Sequence, residues 1–141
     1  MKINYLHLEK KVKVKFKNID LLAQSLTHKS YDRFKNNEKI EFLGDRVLGL
    51  VISKKLLSMY PDESEGIIDK RFANLVNKKT CAKVAKKLNL KKFIKTGTSY
   101  QSSQSSDEKI LSDTCEALVA SIYLDQGFFV VEKFILNAWK S

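Results

Sequence analysis

Asn37 to Ser53 reads NEKIEFLGDRVLGLVIS. Its apolar residues recur at helical spacing and the pattern carries on to Tyr60, so residues 37–60 are predicted as one long helix. Leu43, Val47, Leu50, Val51 and Leu57 fall on its apolar side. Phe42, Leu48 and Ile52 extend that side nearly all round, which predicts a central, buried helix. Pro61 stops it, because the residue before a proline is pushed out of the helical region. Glu38, Glu41 and Asp45 fall within one narrow stripe at about 100° per residue. Glu41 and Asp45 form a like-charged pair four residues apart, which weakens an isolated helix. The usual partner one turn away would be Lys or Arg, yet here one acid faces another.

Outward from this helix the chain reads as further helices. Residues 4–12 suit a short first helix, and Asn18 suits the N-cap of a second, with Ile19, Leu22 and Leu26 on its apolar face. Thr27 to Asn36 is a polar connection. Ser64 and Glu65 open a helical stretch that runs to about Leu88, with a break near Asn77. Phe72, Leu75, Val76, Val84 and Leu88 form its core side; Lys70, Arg71, Lys78, Lys79, Lys83, Lys86 and Lys87 make the exposed side basic. Lys95 to Ser106 is polar and Ser-rich, as mobile surface loops are. A strongly apolar helix spans Asp107 to Leu124, and Phe128 to Trp139 closes the chain. The fold class is all-α, about seven helices in one domain over residues 1–141, with no internal repeat.

Composition bounds the function. The chain has 141 residues, 43% of them hydrophobic, enough for one core and too many for wholesale disorder. One Pro and five Gly are few for an all-β protein. Lys and Arg number 26 against 16 Asp and Glu, a net charge of +10. That excess points to an anionic partner, nucleic acid ahead of a membrane surface; the plainer explanation is that lysines keep a small domain soluble. Cys81 and Cys115 form no CxxC pair, and the charged segment Met1 to Lys10 is no secretory leader, so a reducing, cytoplasmic setting is expected. No apolar run is long enough to span a membrane. His7 and His28 lack ligand-spaced partners, which argues against zinc.

A second acidic pair, Asp113 and Glu116, lies one turn apart inside the apolar run Ile110 to Leu124, which contains no basic residue. Burying a lone carboxylate is costly unless a cation or hydrogen bonds compensate it. The bland explanation is that these acids are solvated faces of amphipathic helices. The sharper one is that the two helices cross and their acids converge on hard divalent cations such as magnesium or manganese, which prefer oxygen ligands. A basic protein with an acidic metal pocket suits phosphodiester hydrolysis.

The stretch from Asn37 to Ser53 closely resembles the signature of the ribonuclease III family. Matches flank it in order: Leu26 to Tyr31, Tyr60 to Gly66, Leu75-Val76-Asn77, Lys109 to Ala117 and Ile122 to Asp125. The similarity covers about residues 5 to 136. It implies an all-helical endonuclease domain that forms a homodimer and cuts double-stranded RNA, with two active sites in one valley, each cutting one strand. By resemblance the metal ligands are Glu41, Asp45, Asp113 and Glu116, with Asp45 and Glu116 as catalytic residues. These are four of the five acids that stand out without any family knowledge. Glu38 and Glu65 match other acidic positions of the valley, in a supporting role. Phe42 matches the aromatic plug that enters a socket on the partner subunit; otherwise it is an ordinary core residue.

The resemblance also implies two magnesium ions, ~4 Å apart as in other two-metal sites, with manganese as substitute. The products would carry 5′-phosphate and 3′-hydroxyl ends with short 3′ overhangs. Precursor ribosomal RNA is the family default, with messenger and small regulatory RNAs as further substrates. Lys70, Arg71, Lys78 and Lys79 are candidate contacts to RNA phosphates. His28 is not required for the chemistry and reads as a capping or packing residue. The chain departs from the family pattern in three places. Gly97-Thr98-Ser99-Tyr100 replaces the usual Gly-Glu loop, Ser112 stands where Ala is common, and Arg46 where a small residue is common. Bacterial members usually continue into a double-stranded-RNA-binding domain, whereas this sequence ends at Ser141; without that module, RNA affinity should fall and the chemistry should remain. Two rivals stand against the nuclease: a catalytically inactive relative that binds structured RNA, and a helical DNA-binding protein. The first has no need of the four ligands, and no helix-turn-helix spacing supports the second.

Overall fold

A computed structural model describes residues 4–140, leaving Ser141 and the first three residues of the charged N-terminal segment outside it. Seven α-helices follow in order: α1 (Leu6–Val12), α2 (Ile19–Ser25), α3 (Glu38–Met59), α4 (Glu65–Val76), α5 (Lys78–Lys87), α6 (Gln104–Gln126) and α7 (Phe128–Ala138). A 3-10 turn at Leu90–Phe93 follows α5 and buries both Leu90 and Phe93. Among the described residues there is no strand, only one isolated parallel bridge between Thr27 and Lys95.

The helix boundaries follow local chemistry. Asn18 caps α2 by accepting from the Asp20 amide, and Ser64 caps α4 by accepting from the Ile67 amide. The break near Asn77 is a cap as well: its Oδ1 accepts from the Thr80 amide at 2.8 Å and opens α5. Such side-chain acceptors satisfy amides that have no partner in the first turn. Helix α3 ends at Met59, just ahead of Pro61.

Helix α6 starts at Gln104, three residues before the expected Asp107. Ser103 and Ser106 form a reciprocal capping box there, each hydroxyl accepting from the other's amide. Serines that suggested only loop character are in part a helix start. The loop ahead of it is also fastened rather than free. The His28 amide donates to the Lys95 carbonyl and the Lys95 amide to that of Leu26, while the Gly97 amide donates to Ser30 Oγ at 2.9 Å.

The central helix is α6, which packs against α2, α3, α5 and α7. From Ile110 to Ile122 every residue is buried except Asp113 and Glu116. Helix α3 was expected in that place, but it buries one side only, through Gly44, Val47, Leu48, Val51, Ile52 and Leu56. Leu50 and Leu57, expected on the core side, are 59% and 64% exposed, and Phe42 is 63% exposed. An apolar helix surface of that extent has more faces than one small domain can cover.

Helices α3 and α6 approach to backbone contact. A methyl group on Gly44 would overlap the carbonyl of Glu116, and the Ala120 amide lies 3.3 Å from the same point. Asn37 fixes the start of α3 against the same partner. Its buried Nδ2 donates to the Ser25 carbonyl at 3.1 Å and reaches Thr114 Oγ1 on α6 at 3.4 Å.

Gly44→Ala should therefore lower stability by on the order of 3 kcal/mol, since the obstructing atoms are backbone and cannot rotate aside. Gly66→Ala, whose added methyl meets nothing within 4 Å, should be neutral or slightly stabilising in its helix. Urea denaturation midpoints of the two variants check the contrast.

Candidate metal centre

The close crossing brings together acids that lie about 70 residues apart in sequence. Glu41 stands one turn before Gly44 on α3; Asp113 and Glu116 stand one turn apart on α6. One carboxylate oxygen from each of these three lies within 4.8 Å of the others. Asp45 sits beside Glu116, and its Oδ2 is 3.3 Å from the guanidinium of Arg46. All four acids named as ligands from sequence are thus neighbours, three of them in mutual ligating range.

The electrostatics of the cluster are those of a site short of positive charge. Burial raises Glu116 from the usual 4.5 to about 9, reinforced by a hydrogen bond with Asp45 and by the Asp45, Glu41 and Asp113 charges. Burial raises Glu41 to about 7, reinforced by Asp113, which shares a hydrogen bond with it. Protons stand in for a cation when like charges crowd together in a partly dry place. Hard oxygen donors on rigid, crossing helices suit a divalent ion, so these residues fit the group that the sequence implied. Behind the acids, burial raises the Cys81 thiol to about 12, with Glu116 and Asp45 adding to it; this cysteine is inert packing rather than a nucleophile.

Not every acid lacks a cation. The run Ile110 to Leu124 contains no basic residue, but one lies just ahead of it. Lys109, one residue before that run and one helical turn before Asp113, places its Nζ 2.7 Å from Asp113 Oδ2. Glu38 pairs loosely with Lys29 at 3.7 Å. These groups share a concavity of about 380 Å³ lined by His28, Glu38, Glu41, Tyr100, Lys109 and Asp113, among others. His28 behaves as a packing residue. Its Nδ1 pairs with Ser30 Oγ at 2.7 Å, its ring meets Tyr100 edge-on, and burial, with Lys29, lowers its pKa.

Other expected site residues lie elsewhere. Glu65 lines a separate groove of about 470 Å³ between α3 and α4, together with Ser53, Leu57, Ile68 and Phe72. Phe42 is no core residue: it projects from α3 with the Arg46 guanidinium 3.9 Å over its ring. Lys70, Lys78 and Lys79 are exposed. Arg71 is not a free cation, since Glu63 holds it by two hydrogen bonds of 2.7 and 3.0 Å and Tyr60 lies beneath it at 3.8 Å. Gly44, Asn37 and Lys109 are the positioning residues that sequence reasoning missed. Only Lys109 carried a readable signal, its i, i+4 spacing to Asp113.

Residues 18–140 match a family model described as ribonuclease-III-like. The chain belongs to this ribonuclease-III-like family. It is 55% identical over 139 residues to a ribonuclease 3 of Pelagibacter ubique, covering 99% of this chain and 63% of that protein. It is 44% identical over 135 residues to a ribonuclease 3 of Clostridium tetani, covering 92% of this chain and 57% of that one. The chain therefore spans about three fifths of these curated relatives. A crystal structure of the nuclease domain of ribonuclease III from Campylobacter jejuni superposes with a TM-score of 0.89 at 38% identity, covering 99% of this chain and 95% of that one. A second structure of that domain, with the same TM-score and identity, is described as flexible in a region involved in dimer formation. No helix among the described residues is long and apolar enough to cross a membrane.

The raised acids make the metal-free fold sensitive to alkali. An acid whose folded pKa is raised takes up protons on folding, so its contribution is most favourable below about 4.5 and is lost as pH rises through about 7 for Glu41 and about 9 for Glu116. The melting temperature in chelator should fall between pH 5 and pH 9, and Glu116→Gln should flatten that fall. Metal binding at pH 7 should release protons, measurable by calorimetry in buffers of different ionisation enthalpy.

Proposed function

We propose that this chain is the nuclease domain, over residues 1–141, of an endoribonuclease that cleaves double-stranded RNA with the help of divalent metal. The convergence of Glu41, Asp113 and Glu116, with Asp45 alongside, carries this reading. Magnesium, with manganese as substitute, would supply the chemistry: it polarises the phosphate and lowers the pKa of water enough to make a nucleophile at neutral pH. The four carboxylates hold the charge in place and orient it, with Asp45 and Glu116 bearing most directly on the reacting phosphate. Glu38 and its partner Lys29 help align the substrate at the rim of the concavity. Hydrolysis would leave 5′-phosphate and 3′-hydroxyl ends. Ribosomal RNA precursors head the substrates, with messenger RNA after them, in the cytoplasm.

Duplex RNA is recognised by shape, phosphates and 2′-hydroxyls, since its major groove is too narrow for side chains. The net charge of +10 and the exposed Lys70, Lys78 and Lys79 suit phosphate contacts, and binding should weaken steeply with salt. The working unit is a homodimer. The exposed Phe42 ring is the plug that would enter the partner's groove between α3 and α4, where Leu57, Ile68 and Phe72 offer apolar walls. Glu65 lines that same groove, so docking would bring it close to the partner's cluster. The nuclease domain of the Campylobacter relative has a region involved in dimer formation, which supports a dimer.

Glu116→Gln should lower cleavage of duplex RNA in magnesium by ~100-fold or more, because removing a metal ligand costs more than the 10–100-fold typical of its supporting partners. RNA binding should be kept. An assay comparing RNA duplex, DNA duplex and single strands checks both substrate and chemistry. Wild-type rates in the variant would overturn the role given to Glu116. Binding of structured RNA without cleavage by the wild-type chain would favour an inactive relative.

A further inference from the structure

The acids of the cluster divide into two kinds. Asp45 and Asp113 each have a basic side chain in contact, Arg46 at 3.3 Å and Lys109 at 2.7 Å. Among the described residues Glu41 and Glu116 have no ion pair. Of the two contacts, the one with Lys109 reaches the carboxylate that belongs to the three-oxygen group. Its ammonium also lies within the fields of Glu41 and Glu38. Lys109 therefore occupies the electrostatic position of a cation in the metal-free chain.

Its attachment suits a temporary occupant. The Lys109 side chain is 63% exposed, whereas that of Asp113 is 22% exposed. The stem reaches in from solvent and can swing out without disturbing the core, while the carboxylate stays on a helix buried along most of its length. A divalent ion held by Glu41, Asp113 and Glu116 would need an Asp113 oxygen and would repel the ammonium beside it.

We propose that Lys109 is a built-in counter-ion that competes with the divalent metal for Asp113. It holds the crowded carboxylates together when no metal is bound, and it sets the metal concentration at which the site fills. This inference rests on the metal-site reading above and assigns Lys109 a positioning role rather than a catalytic one.

The test is calorimetric titration of Mn2+ into the RNA-free protein, paired with thermal melting in chelator. Lys109→Met keeps the stem and removes the charge; Lys109→Gln is the second variant and Lys109→Arg the conservative control. Both neutral variants should bind Mn2+ roughly two- to fivefold more tightly, the fold-change to which an exposed ion pair converts. They should also melt lower in chelator and gain more from added Mn2+ than wild type. Lys109→Arg should behave as wild type, and Lys29→Met, which leaves the Asp113 contact in place, should shift affinity less. Equal Mn2+ affinity in wild type and the neutral variants would overturn the role of Lys109 while leaving the metal site standing. Absence of Mn2+ binding in wild type and variants alike would overturn the metal site and this inference with it.

Discussion

Helices α3 and α6 can lie against each other at backbone distance because Gly44 presents no side chain where the Glu116 carbonyl passes. Any other residue would push the two axes apart, and the acids would separate with them. Glu41 and Asp45 flank that glycine, and Glu116 is itself the residue at the contact. The step that closes the core is thus the step that assembles the cluster. Asn37 adds a second fixing point, tying the first turn of α3 to Thr114 in the middle of α6.

The cluster is held against its own repulsion by the rest of the domain. Ile110, Leu111, Cys115 and Ala117 to Ile122 are buried around Asp113 and Glu116, and that apolar packing keeps α6 in place whatever the acids prefer. Burial in turn pushes Glu41 and Glu116 upward. The two effects share one cause: the acids of both helices lie where α3 and α6 are packed together. A protein of net positive charge thus keeps a small acidic recess where α3 and α6 cross, with Lys29, Arg46 and Lys109 against its acids.

Much of this was legible in the residues. The cap at Asn18, the start at Ser64, the break near Asn77 and the stop at Pro61 marked the helices, because their causes lie within a few residues of their effects. The four acids proposed as ligands stood out, with Glu38, because a like-charged stripe on one helix and a pair of acids inside an apolar run are both conspicuous. What could not be read depends on distant segments meeting. The long apolar surface of α3 suggested the centre of the fold, but pattern alone does not say which helix is enclosed, and α6 is. Lys109 was overlooked because the apolar run was counted from the next residue. The closed pairing of Arg71 with Glu63 needed the turn between α3 and α4 to bring them together. Glu65 lines a groove between α3 and α4, apart from the other acids, and its spacing in the sequence does not show that separation.

Of the thirteen positions from Ile110 to Ile122, eleven are sealed from solvent and the two that are not are both acids. Asp113 is held by Lys109, whereas Glu116 is a carboxylate that burial disfavours. Without a cation the fold carries Glu116 against its own preference, so filling the recess would relieve α6 rather than load it.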